Sequence, residues 1–148
     1  MADGDFGDGL VLEIDRWFDA SPQRVYEAFT NEEQLQQWWG PRDFESVEIS
    51  FPARVGEPYR VELMGPDGAR FVHVGSFRTV DPPRRLCYTW QWLAGPLQRR
   101  EMLVEITFEA EAGGTRVHVR HAGFVDEASR DAHVGWPDSF ERLGSWLG

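Results

Sequence analysis

Four histidines and a single cysteine are the side chains of this 148-residue sequence best suited to proton transfer or nucleophilic attack near neutral pH. His73 and Phe77 share the parity of one alternating stretch, and His121 shares that of Val117 and Val119, so both histidines are predicted to point inward. An inward imidazole can bond a ligand carbonyl or pass a proton, or it can be a satisfied structural histidine. His133 lies three residues before Trp136 and faces either a cavity mouth or water. The histidines share no HxH or HExxH spacing, so no metal site is expected. Cys87 has the opposite parity to Tyr88 and Trp90, which predicts an outer-face position and argues against a Cys–His nucleophile pair. As the sole cysteine it excludes an intrachain disulfide. No GxSxG elbow, P-loop or GxGxxG occurs, and the aspartates of the leader DGDFGDG lack the glutamate of a calcium loop. Lysine is absent, which removes Schiff-base chemistry and lysine bases, because arginine stays protonated. No cofactor is expected, and the motif inventory weighs against an enzyme without deciding the matter.

What the chain has in abundance is rings. Aromatic residues make up 14%, including seven tryptophans, enough to line a cavity as well as a core. Tyr59, Phe77, Tyr88, Trp90 and Trp136 are candidate walls. Val61, Met102, Val104 and Phe140 come from the same inward faces, and Trp38 and Trp39 form a lip that could gate entry. With His73 and His121 they compose the expected ligand-binding set, an apolar pocket with a few placed polar groups. The net charge of −10 repels phosphate backbones and anionic lipid, which sets aside nucleic-acid and membrane-surface roles. There is no apolar run near the ~20 residues a membrane span needs and no signal segment, so the sequence is read as cytoplasmic.

The elements that must position these residues follow from periodicity. Leu10 to Phe18 alternates, with Leu12, Ile14 and Phe18 on one face. Ser21-Pro22 starts a helix, Asn31 caps a second, and Leu35, Trp38 and Trp39 share a face before Gly40-Pro41 stops it. Strands are predicted over 44–51 (Val47, Ile49 and Phe51 on one side), 59–64, 70–80, 85–93, 101–111 and 115–122. Gly65-Pro66-Asp67-Gly68 and Gly113-Gly114 read as hairpin turns, and Gly95-Pro96 breaks the chain. Leu86, Tyr88, Trp90 and Trp92 form the clearest inward face. Outward Arg116, His118 and Arg120 face the outward glutamates Glu101, Glu105 and Glu109 of the strand before. Trp136, Phe140, Leu143 and Leu147 make one helical stripe, with the helix beginning either at Pro137 or after a kinked turn from Glu127. The order β-αα-β-β-β-β-β-β-α predicts a single α+β domain over 1–148, with 1–8 a flexible leader. In it a curved antiparallel sheet wraps a long C-terminal helix, the only cover its apolar face can find.

These blocks resemble a known family. DASPQRVYEAFTNEEQLQQWWGP, RVGEPYRVELMGPDG (54–68), GSFRTVDPPRRLCYTWQW (75–92), GGTRVHVRHAGF (113–124) and GWPDSFERLGSWL (135–147) are similar, in order, to START-like (SRPBCC, Bet v 1-like helix-grip) proteins. The matching branch is that of the C-terminal domain of the activator of Hsp90 ATPase. The resemblance implies a helix-grip fold. The expected function is binding of a small hydrophobic ligand, lipid-, sterol- or polyketide-like, in a cavity between sheet and C-terminal helix. Two alternatives stand beside it. One is a START-like enzyme of cyclase or dehydratase type, using His73 or His121 with tyrosine support. The other is an Hsp90-type co-chaperone or stress-response module. An Hsp90-like partner is disfavoured, since the additional N-terminal domain of eukaryotic activators has no counterpart here. A homodimer through outward Val72, Val74 and Leu93 is a further expectation.

Overall fold

The structure is a computed structural model and describes residues 10–93, 100–124, 127 and 135–148. Seven strands run β1 (Leu10–Phe18), β2 (Glu45–Ser50), β3 (Pro58–Met64), β4 (Arg70–Asp81), β5 (Arg85–Trp92), β6 (Met102–Glu111) and β7 (Gly114–Phe124). Helices α1 (Pro22–Thr30) and α2 (Glu32–Trp38) follow β1, and α3 (Gly135–Leu147) ends the chain. The leader, the Gly95-Pro96 break, His133 and the turn expected after Glu127 lie outside the described residues.

Every strand pairs antiparallel, in the order β1-β7-β6-β5-β4-β3-β2. Each short connection is readable in the turn chemistry. The last hairpin turns one residue earlier than the expected Gly113-Gly114: Ala112 and Gly113 take positive φ (51° and 83°), the left-handed pair a two-residue turn requires, and Gly114 already pairs with Glu111. At the helical pair, Arg24 N–H donates to Ser21 Oγ and Gln34 N–H to Asn31 Oδ1, so both predicted caps satisfy otherwise orphaned amides.

The helices cover one face of the sheet. Phe29 of α1 meets Trp38, Phe108 and Phe140 edge-on, and Phe18 meets Phe140 at 5.5 Å. Phe140 and Leu143 are fully buried, and removing side chains of that size from water contributes roughly 1.5–3 kcal/mol each. The described part of α3 begins at Gly135, two residues before Pro137. Proline in a first helical turn forfeits no intrahelical bond.

One further local expectation is corrected. Val47 does not share a side with Ile49 and Phe51. The β2–β3 register slips between Ser46 and Glu48, which leaves Val47 exposed and turns Ser46 toward the side of Leu63. Cys87 is fully buried although its parity is outward. The outward position holds, since its cross-strand partners are Thr79 and Glu105, and the small side chain is buried on that face between them. The cross-strand charges also rearrange. Glu105 and Glu109 do stand opposite Arg120 and Arg116. Their salt bridges run sideways, with Arg85 paired to Glu105 and Arg116 to Glu111.

Candidate ligand-binding site

A pocket of about 210 Å³ lies where the α2–β2 connection meets the start of α3 over the ends of β3, β4 and β5. Trp39, Gly40, Pro41 and Phe44 form one side. Leu63, Phe71, His73, Trp90 and Trp92 form the sheet wall, and Gly135, Trp136 and Ser139 the helical one. Phe71 is 40% exposed and marks the rim, with Phe44 against it at 5.4 Å.

The rings are tilted to one another at angles from 42° to 87°. Trp39 meets Trp136 at 87° and 4.9 Å, and Trp90 meets Trp92 at 72° and 5.4 Å. His73 departs from this pattern: its imidazole stacks on Trp90 at 3.6 Å and 5°. Across the β4–β5 pair His73 stands directly opposite Trp92, which it meets edge-on at 5.2 Å, and the stack is made with Trp90, two residues back on the same face of β5. Tyr59 Oη lies 3.1 Å from His73 Nδ1 and fixes the ring edge. Tyr59 reaches that position across Gly75, where a Cβ would stand 2.7 Å from its ring and 2.0 Å from the Thr89 carbonyl oxygen.

The second buried histidine is held by the helix. Trp136 Nε1–H donates to His121 Nδ1 at 3.0 Å. An indole nitrogen can only donate, so Nδ1 carries no proton and the neutral ring is protonated at Nε2. Trp90 lies between the two histidines, 4.9 Å from His121.

The lip is tied down from α3. Gly40 N–H donates to Ser139 Oγ at 2.8 Å, and Arg42 N–H to Asp138 Oδ2 at 3.1 Å. Arg142 Nη1 donates to the carbonyls of Trp39, Gly40 and Pro41 at 3.1, 3.2 and 3.3 Å. Arg42 and Glu141 form an ion pair beside them. Gly40 has φ of +106°, a backbone shape that leaves this bend to glycine.

Of the thirteen residues expected at the site, Trp39, His73, Trp90 and Trp136 come together at this pocket. Trp38 turns away from its neighbour: it is fully buried and donates from Nε1 to the Ala28 carbonyl, stapling α2 to α1. Tyr59, Phe77 and Tyr88 pack against one another and Phe51 in a four-ring cluster at 4.8–5.9 Å. Burial there drives the phenols of Tyr59 and Tyr88 well above the usual tyrosine range. Val61, Met102, Val104, His121 and Phe140 are buried in the core outside the pocket lining. Phe44, Leu63, Phe71, Trp92 and Ser139 were not in the expected set. Phe71 shares the parity of His73, and Trp92 that of Trp90, so alternation could have found both.

Among the described residues no cluster of His, Cys, Asp or Glu is placed to hold a metal ion. Nor is any described helix long and apolar enough to cross a membrane.

Residues 19–148 match the family described as Activator of Hsp90 ATPase homolog 1-like protein. The chain belongs to that family. Solved structures carry the same architecture. The AHSA1 protein of Silicibacter pomeroyi superposes with a TM-score of 0.84 at 25% identity, over 93% of this chain and 97% of that one. A Chromobacterium violaceum protein gives 0.80 at 24% identity, over 91% and 95%. One from Rhodobacter sphaeroides gives 0.80 at 24%, over 95% and 94%. Comparison with curated proteins finds no match. The family's START-like helix-grip fold supports a ligand-binding or co-chaperone-like module.

Proposed function

We propose that this protein binds a compact apolar small molecule in the pocket between the α2–β2 lip, the sheet and α3. The observation that carries the reading is the lining: among the described residues, four tryptophans and two phenylalanines, with His73 and Ser139 as the polar side chains. The volume supports a small guest. An engineered cavity of roughly 150 Å³ takes up benzene, so about 210 Å³ suits one or two fused rings better than a whole sterol. Below this end the helix–sheet interior is filled by Phe18, Phe29, Phe108, Phe140 and Leu143, which favours a guest held at one end over a long chain threaded through.

Thermal shift and tryptophan emission against indole, 2-naphthol, a fatty acid and a sterol test the reading. A binder at a hundredfold excess over Kd stabilises by about 2.7 kcal/mol. The shift should vanish in Leu63→Phe, which fills the void from its β3 wall. A panel without any shift, or shifts that persist in Leu63→Phe, would refute the proposal.

A further inference from the structure

The geometry points to a quaternary ammonium group as the headgroup this pocket recognises, an assignment that rests on the pocket being a binding site and goes on to name its ligand class. Three observations carry it. First, six aromatic rings, Trp39, Trp90, Trp92, Trp136, Phe44 and Phe71, line one small pocket. Their planes cross at angles from 42° for Phe44 and Phe71, through 49° for Trp39 and Trp90, to 87° for Trp39 and Trp136, so the rings do not form one stack. Ring faces carry negative charge density, and such linings hold cations that have shed their water.

Second, the polar inventory of the lining rejects other cations. Among the described residues His73 and Ser139 are its polar side chains, with Tyr59 already on His73 Nδ1 and Gly40 N–H already on Ser139 Oγ. A primary ammonium would bring three N–H donors into this lining, and a guanidinium five, each costly to bury unpaired. A quaternary nitrogen brings none. Its methyl groups satisfy the apolar walls while its charge meets the rings.

Third, the electrostatic setting favours the positive sign. The chain carries −10 overall, which draws cations toward its surface. Behind the lip stands Arg142, whose guanidinium is directed at three loop carbonyls. Among the described residues no arginine lines the pocket.

The test compares choline with 3,3-dimethylbutan-1-ol, its uncharged carbon isostere, by calorimetry and tryptophan emission on the full chain. Choline should bind at least roughly tenfold more tightly, the range of a desolvated cation–ring contact. Trp92→Leu and, separately, Phe71→Leu remove walls near the rim. Each should weaken choline several-fold while leaving the isostere nearly unchanged, with circular dichroism confirming the fold. Equal or tighter binding of the isostere overturns the charge assignment and leaves the apolar pocket standing. Binding of 2-naphthol without binding of choline overturns it in the same way. If choline, the isostere and 2-naphthol all fail, both readings fall together.

Discussion

The imidazole of His73 lies flat on the indole of Trp90, 3.6 Å between ring centres and 5° between planes, with Tyr59 Oη on its Nδ1 edge. The stack fixes the plane of the histidine and the phenol fixes its rotation. Tyr59→Phe keeps every ring contact and deletes only that hydrogen bond. Leaving a buried nitrogen unmatched costs about 1–3 kcal/mol. Urea denaturation should show that loss. A midpoint unchanged from the parent would mean the phenol does not hold the ring.

Gly75 is where the sheet makes room for Tyr59. A methyl group there would stand 2.0 Å from the Thr89 oxygen and 2.7 Å from the Tyr59 ring, and neither strand backbone nor packed ring can retreat. Gly75→Ala should cost at least about 3 kcal/mol, the upper end of overpacking penalties. Thermal melting would reveal it, and a variant as stable as the parent would contradict the packing described.

Arg142 holds three carbonyls of the pocket lip. Arg142→Ala should destabilise by roughly 1.5–3 kcal/mol, the range for hydrogen bonds to a charged group. The Gly40 and Arg42 amides, bonded to Ser139 and Asp138, should also exchange hydrogen faster than in the parent. Arg142→Lys should restore only part of this, since all three carbonyls meet one nitrogen, Nη1, and the shorter lysine side chain does not carry its ammonium to that point. Full rescue by lysine would show that charge alone suffices.

All three tyrosines of the chain are held protonated by burial. Tyr26 rises from 10.0 to about 12, through burial first and Asp81 second. Above pH 10 the unfolded chain has lost protons that the folded one retains, so stability is complete below that point and falls as pH rises toward 12. Tyrosinate absorbance should emerge together with loss of circular dichroism. Ionisation near pH 10 in an intact fold would contradict the burial.

Strand parity and capping were legible because they depend on near neighbours. The face shared by Leu86, Tyr88, Trp90 and Trp92 and the stripe of Trp136, Phe140 and Leu143 needed only a period of two or 3.6. The slip that exposes Val47 could not be read, because alternation carries no mark of an inserted residue. The separation of Trp38 from Trp39 was equally hidden. Both share a helical face, but the helix ends between them, sending one indole to α1 and the other to the pocket. The union of Trp39, Gly40 and Pro41 with Ser139 and Arg142 spans about a hundred residues of chain and leaves no local pattern.

Arg142 gives the lip no freedom of its own. A guest that pushes Trp39 outward must drag the closing helix with it, or else break three bonds at once. Trp146 sits one turn further along that helix, beneath the Arg24 guanidinium at 4.5 Å. The closing helix thus ties the lip, through Arg142, to an indole that stands outside the pocket.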